Sequence, residues 1–192
     1  MSSISVQLVN SGIFEKFSLE PLEMRISAVG RLVKPLPIFK ISGLDPMSYY
    51  WICIGFKQVG NDMYNYSNDR WAKAENLYGS MKTPSTYQTV PYSEKWKLGS
   101  ELMRKPIKFE KIYVTNIQTL EPTYTIPLVT GKKYVPELSI YQLYQGGTLS
   151  DPLTFSNPCT EFITVSRYRN KNMGKLKGSK KTRKYVGGGD NL

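Results

Sequence analysis

The feature that most constrains this chain is a succession of strand-length blocks, rich in β-branched and aromatic residues, with almost no helical periodicity between them. The blocks fall at 24–27, 36–42, 49–57, 86–90, 107–116, 124–129, 138–144 and 160–166. The longest apolar run, YYWICIGF at 49–56, has the length of a strand and falls far short of the roughly 18 residues of a membrane span. Turn chemistry separates the blocks: Gly43-Leu44-Asp45-Pro46 and Ser67-Asn68-Asp69-Arg70 read as turns, and Gly146-Gly147 and Ser156-Asn157-Pro158 bound the last block. Many short strands with this punctuation predict an all-β antiparallel sandwich or barrel. In 107–116, alternation sets Ile107, Phe109, Lys111 and Tyr113 on one face and Lys108, Glu110, Ile112 and Val114 on the other.

Helix is sparse. Ser11 is placed to cap a short helix through Phe17, with Phe14 and Phe17 on one face, or the segment is a loop pinned by those aromatics. A second short helix is expected to begin near Arg167 or Asn170 and to fray by Gly174 or Gly178. At 192 residues the chain suits one domain with tails, able to bury about 70% of its unfolded surface. The expected domain is 5–178, followed by a basic, then Gly-rich, flexible tail at 179–192.

The chain contains no histidine, which removes Ser-His-Asp and Cys-His arrangements, the usual zinc sites and the commonest general base. No phosphate-loop motif is present, and Gly187-Gly188-Gly189 lies in a polar tail with no strand before it. No enzyme, cofactor or metal site is expected. Cys53 and Cys159 match no metal spacing and sit in or beside predicted strands, so buried free thiols and a reducing compartment are expected. The opening MSSISVQLVN lacks a charged start followed by an apolar stretch, so no secretory signal is expected.

Charge is concentrated at one place. From Arg167 to Lys184 there are nine Lys or Arg and no acid; the rest of the chain holds 17 basic and 15 acidic residues. Two readings stand: a solvated basic tail, or a polyanion grip. Tyr168 and Asn170 are interleaved with Arg167, Arg169 and Lys171, and the run starts where a predicted strand stops. That mixture of charge, stacking surface and amide groups on a rigid scaffold favours recognition of nucleic acid. Arg104, Lys105 and Lys108 form another basic cluster, equally readable as a solvated face.

In chain order, a set of motifs resembles the T-box DNA-binding domain. Phe14, Phe17, Glu23 and Met24 fit its opening aromatic-then-EM pattern, Gly30-Arg31 the start of GRRMFP, and Pro35 its proline. Gly43-Leu44-Asp45-Pro46 with Tyr49 or Tyr50 fits GLDP…Y, and Asn68-Asp69-Arg70-Trp71 the NGEW turn. Pro106, Phe109, Lys111, Thr115 and Asn116 fit the P-x-x-F-x-K-x-x-x-T-N strand, and Lys133-Tyr134-Val135-Pro136 fits HKYEP. Phe162, Ile163, Val165, Tyr168, Asn170 and Leu176 fit the last segment, so the resemblance covers roughly 6–178.

The resemblance implies an immunoglobulin-like β-sandwich of the transcription-factor type with a short C-terminal helix, and a nuclear, non-enzymatic regulator of RNA polymerase II genes that binds double-stranded DNA. It implies that Arg31 reaches a guanine edge, with Lys34 touching phosphate where Leu32-Val33-Lys34 replaces the rest of the RRMF pattern. It implies that Arg167, Tyr168, Arg169, Asn170 and Lys171, in place of AYQN and its follower, approach the duplex together with Lys175 and Lys177. The NPFAK wedge is absent and Gly178-Ser179-Lys180-Lys181-Thr182-Arg183-Lys184 stands in its place. This stretch, Lys180 and Lys181 included, is expected to track phosphates or to lie as a flexible basic arm in the groove, and its KKTRK cluster to double as a nuclear import signal. Ile117 replaces a lysine after Thr115-Asn116. Phe109, Tyr134 and Phe162 are expected in the core. A homodimer on paired half-sites and transcriptional co-regulators are candidate protein partners, and no membrane is expected. The competing readings are an RNA or single-stranded nucleic-acid module stacking bases on Tyr and Arg, and an adaptor whose tail binds an acidic protein.

Overall fold

The computed structural model describes residues 3–17, 21–74, 87–117 and 124–170. In chain order, β1 (Ser5–Leu8), α1 (Ser11–Glu15), β2 (Leu22–Arg25), β3 (Arg31–Leu32), β4 (Ile38–Ser42) and β5 (Tyr49–Gln58) come first. Next are β6 (Tyr64–Ser67), β7 (Arg70–Lys73), β8 (Thr89–Pro91), β9 (Lys97–Leu98), α2 (Gly99–Arg104), β10 (Ile107–Lys108) and β11 (Tyr113–Thr115). β12 (Thr125–Pro127), β13 (Lys133–Leu143), β14 (Leu153–Ser156), a 3₁₀ turn (Pro158–Thr160) and β15 (Phe162–Val165) follow.

One sheet has the order β2-β15-β13-β5-β8, with β14 also beside β13 and β9 beside β5. Two smaller sheets, β1-β4-β10 and β12-β11-β3, share its core, and β6 and β7 form a separate hairpin. The spine is the antiparallel β5–β13 pair, in continuous register from Tyr134↔Gln58 to Leu143↔Tyr49. Strand period 2 turns Tyr50, Ile52, Ile54 and Phe56 inward, where they meet Leu138, Ile140 and Phe162. Phe39, Ile41, Ile107, Val114 and Ile126 of the small sheets close the same core from the other side. The fold is thus the all-β immunoglobulin-like sandwich that the strand pattern and the resemblance imply, and Phe109, Tyr134 and Phe162 are all buried in it.

Turn chemistry explains two corners. At Gly43 φ is +80°, and an added Cβ would lie 2.5 Å from the Ser3 carbonyl oxygen, so only glycine fits. Beyond it, Asp45 accepts from the Met47 backbone N–H at 3.1 Å and from the Ser48 hydroxyl, which closes the turn before Tyr50. In the hairpin, Asn68 and Asp69 both have positive φ, the sign pair of a two-residue type I′ turn between paired Ser67 and Arg70.

Several expectations change. The sandwich is not purely antiparallel: β2 runs parallel to β15, and β11 parallel to β12. The block at 107–116 is two strands, because Ile107 and Phe109 are buried and then Ile112 and Val114 are. That one-residue phase slip at Glu110 and Lys111 interrupts the pleat. Ser11 is not the cap of α1; Asn10 holds that position without capping it, and binds the Leu36 carbonyl and Ile38 N–H instead, each at 2.9 Å. Cys53 is buried, but Cys159 is exposed, because it lies in the 3₁₀ turn before β15 rather than in the sheet. No helix begins at Arg167; the chain bends at Ser166 and Arg167, and the remainder of the expected C-terminal helix lies outside the described residues.

Candidate nucleic-acid interface

Parallel strands finish at the same end, and this decides where the candidate residues go. Residue 22 pairs with 162 and 25 with 165, and Ile26 N–H continues the ladder to the Val165 carbonyl at 2.9 Å. The chain leaving β2 (27–31) and the chain leaving β15 (166–170) therefore emerge side by side. The Arg25 Nε donates to the Ser166 carbonyl at 3.1 Å across that junction.

The first segment is a tight turn. Gly30, at φ +74°, donates its N–H to the Ser27 carbonyl at 3.0 Å. The buried Thr115 hydroxyl donates to the same carbonyl at 3.0 Å, which anchors the turn to β11. Arg31 opens β3, half-buried, and its Nε donates to the Ser27 hydroxyl at 3.1 Å. That bond engages the Nε–H, and the two terminal nitrogens of a guanidinium make the fork that suits bidentate contact with a base edge. Lys34 is exposed two residues beyond β3, before the cis peptide at Pro35.

The second segment is held from below by Glu23. This side chain is fully buried in β2, yet its oxygens accept three N–H groups: the Trp71 indole at 3.0 Å, the Arg169 backbone at 2.7 Å and the Asn170 backbone at 3.0 Å. Arg169 lies with its guanidinium 5.8 Å from the centre of the Tyr66 ring, itself edge-on to Trp71 at 5.4 Å. Arg167 is exposed and, with Arg169, Tyr64, Tyr66 and Trp71, lines a shallow cleft of about 240 Å³.

Tyr168 is half-buried against the core rather than displayed as an open stacking surface. Burial pushes its phenol above the usual range; a hydrogen bond with the Arg25 backbone and the charge of Arg25 draw it back, Glu23 pushes it up, and Arg31 lowers it. The parallel pairing and the Arg25–Ser166 hydrogen bond place the turn after β2 and the turn after β15 on one edge. The remaining sequence-predicted positions, Lys171, Lys175, Lys177, Lys180 and Lys181, lie outside the described residues.

The second basic cluster sits elsewhere. Arg104, Lys105 and Lys108 are exposed along an open groove of about 980 Å³ that also takes in Lys97 and Lys111. Among the described residues, ion pairs link Lys57–Glu137, Lys73–Asp62, Lys97–Glu101 and Lys133–Glu161. Among the described residues, Arg31, Lys34, Arg167 and Arg169 are in none of these ion pairs.

Sequence reasoning did not assign roles to Glu23, Arg25, Tyr66 or Trp71. Glu23 and Trp71 are visible in the sequence only as motif matches, and no local spacing links Glu23 to Trp71, 48 positions away, or to Arg169 and Asn170, 146 and 147 positions away.

Comparison with known proteins agrees with this architecture. The T-box family model matches residues 6–184. The chain is 32% identical over 178 residues to the T-box-containing protein TBX6L of Gallus gallus, covering 92% of this chain and 48% of that protein. It is 31% identical over 180 residues to T-box protein 37 of Caenorhabditis elegans, with 92% and 56% covered, and 28% identical to the T-box transcription factor TBX21 of Mus musculus, with 91% and 34% covered. The chain thus spans about half the length of the first two relatives. An uninterrupted match over nearly all of the strands described above means that the chain belongs to the T-box family.

Proposed function

We propose that this chain is the DNA-binding part of a transcription factor that acts in the nucleus on RNA polymerase II genes, gripping double-stranded DNA along the edge where β2 and β15 end. One observation carries the reading: the parallel β2–β15 pairing brings the Arg31 turn and the 166–170 turn out side by side, just ahead of the acid-free basic run. Arg31 reads a base edge, while Lys34, Arg167 and the lysines after residue 170 contact phosphates and set the register. The domain takes in 5–178 and the tail beyond it adds further phosphate contacts. Family membership supports this assignment, since relatives such as TBX21 are named transcription factors. Among the described residues no helix is long and apolar enough to cross a membrane.

Titration of duplex binding against salt tests the reading. Neutralising about six phosphates gives a log–log slope near −5, and a slope near zero would overturn it. Competition of duplex DNA against single-stranded RNA separates this reading from the stacking alternative: RNA displacing the duplex would favour stacking. The half-buried Tyr168 argues for duplex, because little of its ring is offered to an unstacked base.

A further inference from the structure

We infer that Glu23 is a positioning residue for nucleic-acid binding: its buried carboxylate latches the chain leaving β15 and so sets the direction in which the basic segment meets the duplex. The inference rests on the duplex-binding reading above. It starts from an oddity of burial. Glu23 is 0% exposed, in a strand whose neighbours Leu22 and Met24 are core residues, and a carboxylate there is tolerated only if its acceptors are satisfied. Three donors satisfy them, and they come from two places far apart in sequence: the indole of Trp71 on the β6–β7 hairpin, and the consecutive backbone N–H groups of Arg169 and Asn170.

The geometry divides the labour between the two oxygens. Oε2 takes the Arg169 N–H, whereas Oε1 is shared by the Asn170 N–H and the Trp71 indole. The groups bound are backbone N–H groups, so the hydrogen bonds to Glu23 do not themselves depend on which side chains stand at 169 and 170. The latch fixes the path of the main chain. The hairpin joins the same assembly, because Trp71 meets Tyr66 edge-on and Tyr66 underlies the Arg169 guanidinium. Glu23 therefore ties β2 to two segments outside its ladder with β15: the β6–β7 hairpin and residues 169–170 beyond the end of β15. The β2–β15 ladder is made by backbone groups and not by the Glu23 side chain, so loosening the latch acts first on the path of residues 167–170 and on how Arg167 and Arg169 are presented beside the Arg31 turn.

The test is Glu23→Gln, which keeps shape but turns one acceptor into an NH₂ that opposes an N–H donor. Backbone amide exchange at Arg169 and Asn170, far-UV circular dichroism and the salt dependence of duplex binding are measured on the full chain. The expected result is a folded protein whose two amides exchange faster, whose affinity falls about tenfold, and whose salt slope is shallower by about 1–2, as one or two phosphate contacts are lost. A change confined to overall stability would leave the slope of the folded protein untouched, so the slope separates positioning from mere folding. Wild-type exchange at both amides overturns the latch; faster exchange with unchanged affinity and slope overturns its role in binding. If Glu23→Gln does not fold, Trp71→Phe takes its place: it frees Oε1 of one donor, and the same pair of readouts supports or overturns the inference. Should the wild-type chain bind no duplex, the functional reading falls, and the amide exchange alone still decides whether the latch exists.

Discussion

Arg25 and Ser166 meet at the ends of two parallel strands, with the arginine Nε donating to the serine carbonyl at 3.1 Å. The contact spans 141 positions of sequence and closes the seam between the turn that carries Arg31 and the turn that carries Arg167. Everything expected of the cationic edge follows from that seam being shut.

Replacing Arg31 with Ala is expected to flatten the preference at a single base pair, costing about 1–3 kcal/mol against the best base and little against the others. Ser27 would lose its guanidinium partner but keep its carbonyl bonds to Thr115 and Gly30, so the turn should persist. Binding to a panel of duplexes varied one base pair at a time checks this. An equal loss on every duplex would mean that Arg31 contacts only phosphate.

Arg167→Ala and Lys34→Ala should behave differently. Both residues are exposed and neither pairs with a described acid, so each substitution should weaken all duplexes alike and make the salt slope shallower by about 0.9. Sequence selectivity measured on the same panel should be unchanged.

Gly43→Ala is expected to destabilise the fold by about 1–3 kcal/mol. The new Cβ would meet the Ser3 carbonyl oxygen at 2.5 Å on a backbone held at φ +80°. Urea unfolding reads this as a lower midpoint with an unchanged slope. A midpoint equal to the wild type would show that the strand entering at Ser3 is not packed against the turn.

Alkali should unfold the protein through its buried phenols and thiol. Burial raises Cys53, Tyr134 and Tyr168 above their ordinary values of 9.0, 10.0 and 10.0. Each group holds its proton more tightly folded than unfolded, so its contribution is complete below about pH 9 and is lost as pH rises through the folded-state values. The melting temperature should therefore hold steady between pH 7 and pH 9 and fall by pH 11. A constant melting temperature to pH 11 would contradict burial of these groups.

The parts of the fold legible in sequence are those dictated by local chemistry. β5 was plain because eight consecutive apolar or aromatic residues stand between turn residues, and the Gly43 and Asn68-Asp69 turns because only particular side chains suit them. The 107–116 block misled because its alternation looked continuous, whereas burial shifts phase at Glu110 and Lys111. The β6–β7 hairpin was read as a turn without strands: its residues pair only with each other, and its Tyr, Asn, Ser and Lys carry weak apolar signal. Lys97–Leu98 and α2 were missed because each is too short for a period to show. For the candidate edge, the charges and the arginine were legible, but their neighbours were not. Parallel pairing between residues near 23 and near 163 leaves no local trace, and neither does a carboxylate gripping backbone groups at the far end of the chain.

The position of β15 between β2 and β13 bears on how the protein is made. During synthesis, Leu22–Arg25 waits without a strand neighbour until Phe162–Val165 leaves the ribosome and slots in. A chain cut short before that point lacks the 166–170 turn and leaves β2 without its partner strand, although β11 still holds the Arg31 turn. Only the full run of strands therefore brings the two turns together along one edge.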